Sequence, residues 1–136
     1  MGQWRDSQWA PSGGCARAIV SRRVNVSGRV DGGSGGRWVF VPATSGYDRD
    51  GGAMPDDVAD QTRQTMRNIG AILRRADAGL ADVVRVRVYL ADAADFARVA
   101  PILAEQFRGI RPASSTVECP LADPRMKIEI EVTARR

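Results

Sequence analysis

A short segment in the middle of the chain, Val83-Val84-Arg85-Val86-Arg87-Val88-Tyr89-Leu90, restricts the fold more than any other. Val84, Val86, Val88 and Leu90 occupy one row of its alternation, and Arg85, Arg87 and Tyr89 occupy the other. Successive side chains of a strand point to opposite faces, so the segment predicts a sheet with one apolar face and one face too polar for a core. The apolar row requires a covering layer, which helices can supply. The polar row faces water, a cleft or another subunit.

Helical spacing appears on both sides of this strand. Upstream, Val58, Thr62, Met66, Ile69, Leu73 and Ala76 form one stripe that Thr65 and Ile72 widen. Asp60, Arg63, Gln64, Arg67, Arg74 and Arg75 fall on the opposite face. Asp56 or Asp57 can cap the helix by accepting from its first free amides, and Gly79 is the expected stop. Downstream, a second helix begins after Asp92, with Asp95 at capping-box spacing and a buried stripe of Phe96, Val99, Leu103 and Phe107. Pro101 removes one backbone hydrogen bond there and predicts a kink or a short helix.

The two ends of the chain read as strands. Ala16 to Ser27 and Arg37 to Val41 flank the glycine-rich run Gly28–Gly36, a pattern for a hairpin extended around residues 21–36. Pro42 is the expected end of the second strand, and a glycine- and aspartate-containing loop, Ser45 to Pro55, leads into the helix. Ala113 to Cys119 and Met126 to Ala134 close the chain, with Ile128, Ile130 and Val132 alternating with Lys127, Glu129 and Glu131. The order is β-β-α-β-α-β-β, an α+β fold with two helices on one sheet face and a half-polar face left for assembly. At 136 residues, the whole chain (1–136) fits a single domain.

Composition removes several function classes. The chain has no histidine, which excludes a Ser-His-Asp or Cys-His nucleophile, a two-histidine ribonuclease and any histidine-ligated zinc within it. No metal site and no cofactor are expected. Cys15 and Cys119 read as free thiols. No run approaches the ~20 apolar residues of a membrane span, and Met1 to Gly14 lacks the apolar centre of a signal peptide, so a cytoplasmic protein without a membrane partner is expected. The net charge of +4 is carried by arginines, Lys127 being the only lysine. Acidic residues lie between them in most stretches, as on a solvated surface rather than a nucleic-acid stripe.

Several segments, taken in order, resemble the reactive intermediate deaminase (Rid, YjgF-type) family. They are Gln61-Thr62, Asn68-Ile69, Leu80-Ala81-Asp82-Val83-Val84 and Tyr89-Leu90, then Arg111-Pro112-Ala113-Ser114-Ser115-Thr116-Val117-Glu118, and the ending Lys127-Ile128-Glu129-Ile130-Glu131-Val132. The resemblance runs over roughly residues 37 to 134, with a shorter echo at Ala16-Arg17-Ala18-Ile19. It implies a chorismate-mutase-like fold of the barrel-forming trimeric type, with ligand clefts between subunits.

The same resemblance implies a site. Deaminating relatives hydrolyse small enamines and imines to 2-oxo acids. Within a Pro-Ala-Arg-Ser pattern their arginine grips the substrate carboxylate as a fork. Ser114 stands at that arginine's position, where a hydroxyl supplies neither charge nor fork. The water-orienting glutamate falls on Glu129, or Glu129 is an ordinary strand carboxylate. A small Ser-Gly pair falls on Pro42-Ala43, a tyrosine near the first strand on Cys15, and a small residue after the arginine on Thr116. Tyr89 and Arg87 lie on the polar row beside these, and Arg87 or Arg111 could replace the lost cation. Three readings follow: an enzyme for a small imine- or enamine-like metabolite with ordinary 2-iminobutanoate deamination in doubt, a non-catalytic metabolite-binding trimer, and a protein that binds or cleaves RNA. The last would show a steep loss of binding with salt.

Overall fold

The alternation of the C-terminal segment makes it the centre of the sheet. In the computed structural model, which describes residues 19–21, 36–48 and 50–136, the strands are β1 (Ile19–Ser21), β2 (Trp38–Ser45), β3 (Val83–Leu90), β4 (Ala113–Glu118) and β5 (Ile128–Arg135). Helix α1 spans Val58–Arg75 and α2 spans Phe96–Gln106, with single 3-10 turns at Leu80–Asp82 and Ala93–Asp95. The sheet order is β1-β2-β5-β3-β4. All neighbours are antiparallel except β3 and β4, whose parallel pairing uses α2 as the crossover. The expected element order and the α+β class therefore hold. The glycine-rich hairpin tip and Cys15 lie outside the described residues.

Both helices cover one face. Val39 and Val41 of β2, Val83, Val86, Val88 and Leu90 of β3, and Ile128, Ile130, Val132 and Ala134 of β5 are buried against Val58, Met66, Ile69, Ile72 and Leu73 of α1 and Val99 of α2. Each large aliphatic chain removed from water in this layer contributes on the order of 2 kcal/mol. Asp57 caps α1, accepting from the amides of Ala59 at 2.9 Å and Asp60 at 3.3 Å. Its other carboxylate oxygen meets Arg98 of α2, which ties the two helices together and holds the Asp57 carboxyl below its usual range.

Four local expectations are corrected. The core row of β3 starts at Val83, while Val84 is 42% exposed. A register shift against β5 between Val83 and Arg85 inserts one extra residue and turns Val84 outward. β2 does not stop at Pro42 but runs on to Ser45. Pro42 and Ala43 together oppose the single residue Glu131, and this bulge accommodates a residue with no amide to donate. α1 ends before Gly79: Asp77 takes the left-handed position at φ 52°, and the amides of Asp77 and Ala78 donate to Arg74 and Leu73. Phe96 is 49% exposed rather than buried, because α2 begins there and its inner face is carried by Val99, Leu103 and Phe107. Pro101 sits inside an 11-residue helix, the shorter of the two.

The outward turn of Val84 has a direct test. Val83→Thr places a hydroxyl in the core and should lower the unfolding free energy by about 1–3 kcal/mol. Val84→Thr should change it by less than about 0.5 kcal/mol. Urea denaturation of both variants distinguishes the two positions, and equal losses would contradict the bulge.

Candidate functional site

The face not covered by helices is a grid of paired side chains. Residues in register across a sheet share a face, so its rows can be read from the pairing. One row runs Ser45, Glu129, Tyr89, Val117 across β2, β5, β3 and β4. The next runs from the Pro42-Ala43 bulge through Glu131 and Arg87 to Ser115, and the third through Phe40, Thr133, Arg85 and Ala113. Trp38 and Arg135 pair at the far end. Trp38 stacks on Phe40 with ring centroids 6.5 Å apart, and the Arg135 guanidinium lies 5.6 Å from the indole. Arg87 and Glu131 form an ion pair at 3.7 Å.

Glu129 differs from its neighbour Glu131. It is half-buried, and among the described residues no cation pairs with it. Burial pushes its carboxyl above the ordinary carboxylate range. A carboxyl held this way is better suited to take a proton from water than a fully solvated one.

Two amides on the core side of α1 fix the strand ends beside Glu129. The Gln61 side chain is fully buried and makes three contacts: it donates to the carbonyls of Pro55 at 2.6 Å and Arg125 at 2.8 Å, and accepts from the Lys127 amide at 2.8 Å. Asn68 donates to the carbonyls of Ser45 at 3.0 Å and Tyr47 at 2.8 Å. Gln61 therefore holds the entry to β5, and Asn68 the exit of β2 opposite Glu129. The chains approach so closely that a Cβ on Gly46 would lie 2.6 Å from the Gln61 carbonyl oxygen. These contacts were missed in the sequence, where the one available signal is an amide standing twice on the buried stripe beside Thr62 and Thr65.

Ser114 and Thr116 take a different position. They pair with Val86 and Val88, so they project to the helix side of the sheet, on the edge strand β4. Every residue of β4 is exposed, Val117 to 48%. Glu129 and Tyr89 project from the opposite face, and β3 separates the two strands concerned. One chain thus brings together Glu129, Tyr89, Arg87 and the Ala43 bulge, and holds Ser114 and Thr116 apart from them. Arg111, just before β4, is exposed and takes φ 52° ahead of Pro112.

The sequence profile of the family described as Endoribonuclease L-PSP matches residues 20–136. The chain belongs to the YjgF/Rid family. Among its relatives is RutC family protein PH0854 of Pyrococcus horikoshii, 39% identical over 73% of this chain and 79% of that protein. A 2-iminobutanoate/2-iminopropanoate deaminase of Rattus norvegicus is 33% identical over 72% of each chain. Among solved structures, Rv2704 of Mycobacterium tuberculosis, a member of the YjgF/YER057c/UK114 family, superposes with a TM-score of 0.66 at 38% identity, over 73% of this chain and 79% of that one. The fold is the chorismate-mutase-like fold of these Rid proteins. Among the described residues no helix is long and apolar enough to cross a membrane.

Two measurements probe this family member's site. Gln61→Leu leaves two carbonyls and one amide without partners and should cost about 2–3 kcal/mol of stability in denaturant titration. Because the folded Glu129 carboxyl titrates above its unfolded value, its ionisation opposes folding as pH rises past the unfolded value, and fully so above the raised one. Glu129→Gln should therefore raise the melting temperature at neutral pH, with the gain vanishing as pH falls below the unfolded carboxyl's pKa of 4.5. A constant difference across that range would remove the burial argument.

Proposed function

We propose that this protein works as a homotrimer on a small reactive imine- or enamine-like metabolite, in a cleft between neighbouring copies, and that it deaminates 2-imino acids poorly. The observation carrying this reading is Ser114 at the family's arginine position on an edge strand exposed along its whole length. A second copy against β4 would cover Val117 and set Ser114 and Thr116 of one chain near the open face of another. Names of relatives such as the rat 2-iminobutanoate/2-iminopropanoate deaminase support the reaction class.

The chemistry is hydrolysis of a C=N bond. Water adds to the imine carbon, its proton passing to the Glu129 carboxylate and on to the nitrogen. The hydroxyl proton of the resulting carbinolamine then moves to its nitrogen as the C–N bond breaks, releasing ammonia and leaving a carbonyl. Substrate selection rests on the clamp. A guanidinium–carboxylate fork contributes roughly 1.5–3 kcal/mol, so its replacement by a hydroxyl weakens carboxylate binding by about tenfold to a hundredfold. Arg87 is engaged with Glu131, which leaves Ser114 without that cation's help. A substrate lacking a carboxylate beside the imine suits the cleft better. Cys15, Thr116, Ala43 and Tyr89 are proposed as further contacts, with no cofactor or metal and with the whole chain 1–136 acting as one cytoplasmic domain.

The same loss of charge also favours a second reading, a trimer that binds a metabolite without turning it over. Both are tested by generating 2-iminobutanoate with a dehydratase and following 2-oxobutanoate. The native protein should accelerate its formation little, and Ser114→Arg should raise the rate at least about tenfold. Adding Glu129→Gln to that variant should remove about a hundredfold or more of the restored rate. Fast turnover by the native protein would overturn the reading of Ser114. No gain from Ser114→Arg, with thermal stabilisation by 2-oxobutanoate retained, would favour the binder.

A further inference from the structure

The outward side of α1, on the far side of the helix layer from the open sheet face, carries a second constellation. Arg67, Gly70 and Arg74 follow Arg63 at offsets of four, seven and eleven residues, which return to one side of an α-helix. With Met66 and Leu80 they line a groove of about 450 Å³. That volume lies within the range of small-molecule sites, about 300–1,000 Å³.

Two features of this groove are not explained by the chain's own packing. The first is charge. Arg63 meets the Asp60 carboxylate at 2.8 Å, but Arg67 donates only to the neutral Gln64 carbonyl oxygen, with Nε at 3.0 Å. Arg74 has no acidic partner among the described residues. The C-terminal end of the helix favours a cation at Arg74, yet Arg63 and Arg67 lie earlier, and like charges four apart cost a helix a few tenths of a kcal/mol. The second is Gly70, in the interior of an 18-residue helix, where glycine is about 1 kcal/mol worse than alanine. A Cβ there would approach nothing closer than Arg74 Nη1 at 3.5 Å, an ordinary contact. The fold has room for a side chain at Gly70. Its absence leaves a flat floor between Arg67 and Arg74.

We propose that this groove binds a phosphate-bearing small molecule of nucleotide size. Its phosphates pair with Arg67 and Arg74, and its flat body lies over Gly70 against the edge of the partly buried Leu80. Guanidinium forks match phosphate oxygens in planar geometry, and an anion there relieves the mutual repulsion of the arginines. The site is independent of the imine chemistry proposed above, since it shares no residue with the open face or with β4.

The test is calorimetric titration of the full-length protein with ADP at low salt, with inorganic tripolyphosphate and a single-stranded oligonucleotide as companion ligands. Saturable binding of one ADP per chain is expected. Arg67→Gln should weaken ADP and tripolyphosphate alike by about tenfold, the loss of one charge-assisted contact. Gly70→Leu, which keeps every charge and improves helix propensity, should abolish ADP binding while sparing tripolyphosphate. Absence of saturable ADP binding, or ADP binding indifferent to both substitutions, would overturn the proposal. Tighter, steeply salt-dependent binding of the oligonucleotide that displaces ADP would overturn it in favour of a nucleic-acid surface.

Discussion

The structure depends on the strict two-sidedness of β5. Ile128, Ile130, Val132 and Ala134 are almost fully removed from water, while Glu129, Glu131 and Thr133 between them remain half-exposed. A shift of one residue in its pairing with β2 or β3 would send two carboxylates into the core, a penalty far above what a hydrogen-bonded ladder could offset. That alternation fixes which face the helices cover. It also fixes which face carries the polar side chains.

The helix layer and the polar face are coupled through α1. Gln61 and Asn68 occupy the buried side of the helix, yet their hydrogen bonds end on the backbone at the entry to β5 and the exit of β2. The half-buried Glu129 sits between those two points, paired with Ser45 on one side and Tyr89 on the other. Buried amides would be a liability if unsatisfied. Here they fix the position of a carboxylate on a rigid strand rather than on a loop.

Most of the architecture was legible in the sequence because period-2 and period-3.6 patterns are strong and local. The helical stripe from Val58 to Leu73, the alternation of β5 and the polar row Arg85, Arg87 and Tyr89 all appear as read. The misreadings share a cause. Val84, Pro42-Ala43, Asp77 and Phe96 each sit where an element shifts register, bulges, ends or begins, and there tertiary pairing overrides local pattern. Asp77 shows this well: the helix stop was expected at Gly79, and an aspartate two residues earlier takes the left-handed position that ends it. The candidate site was legible as a set of residue types. Its geometry was not, because Ser114 and Glu129 leave opposite faces of one sheet, and that depends on strand pairing rather than on any local pattern.

The account therefore turns on whether the exposed β4 edge and the open face are covered by other copies of this chain. Sedimentation equilibrium of the native protein measures this most directly. The account predicts one species at three times the chain mass of 14.7 kDa, unchanged on dilution through the micromolar range. A species of 14.7 kDa would contradict it, because Ser114 and Glu129 would then share no cleft.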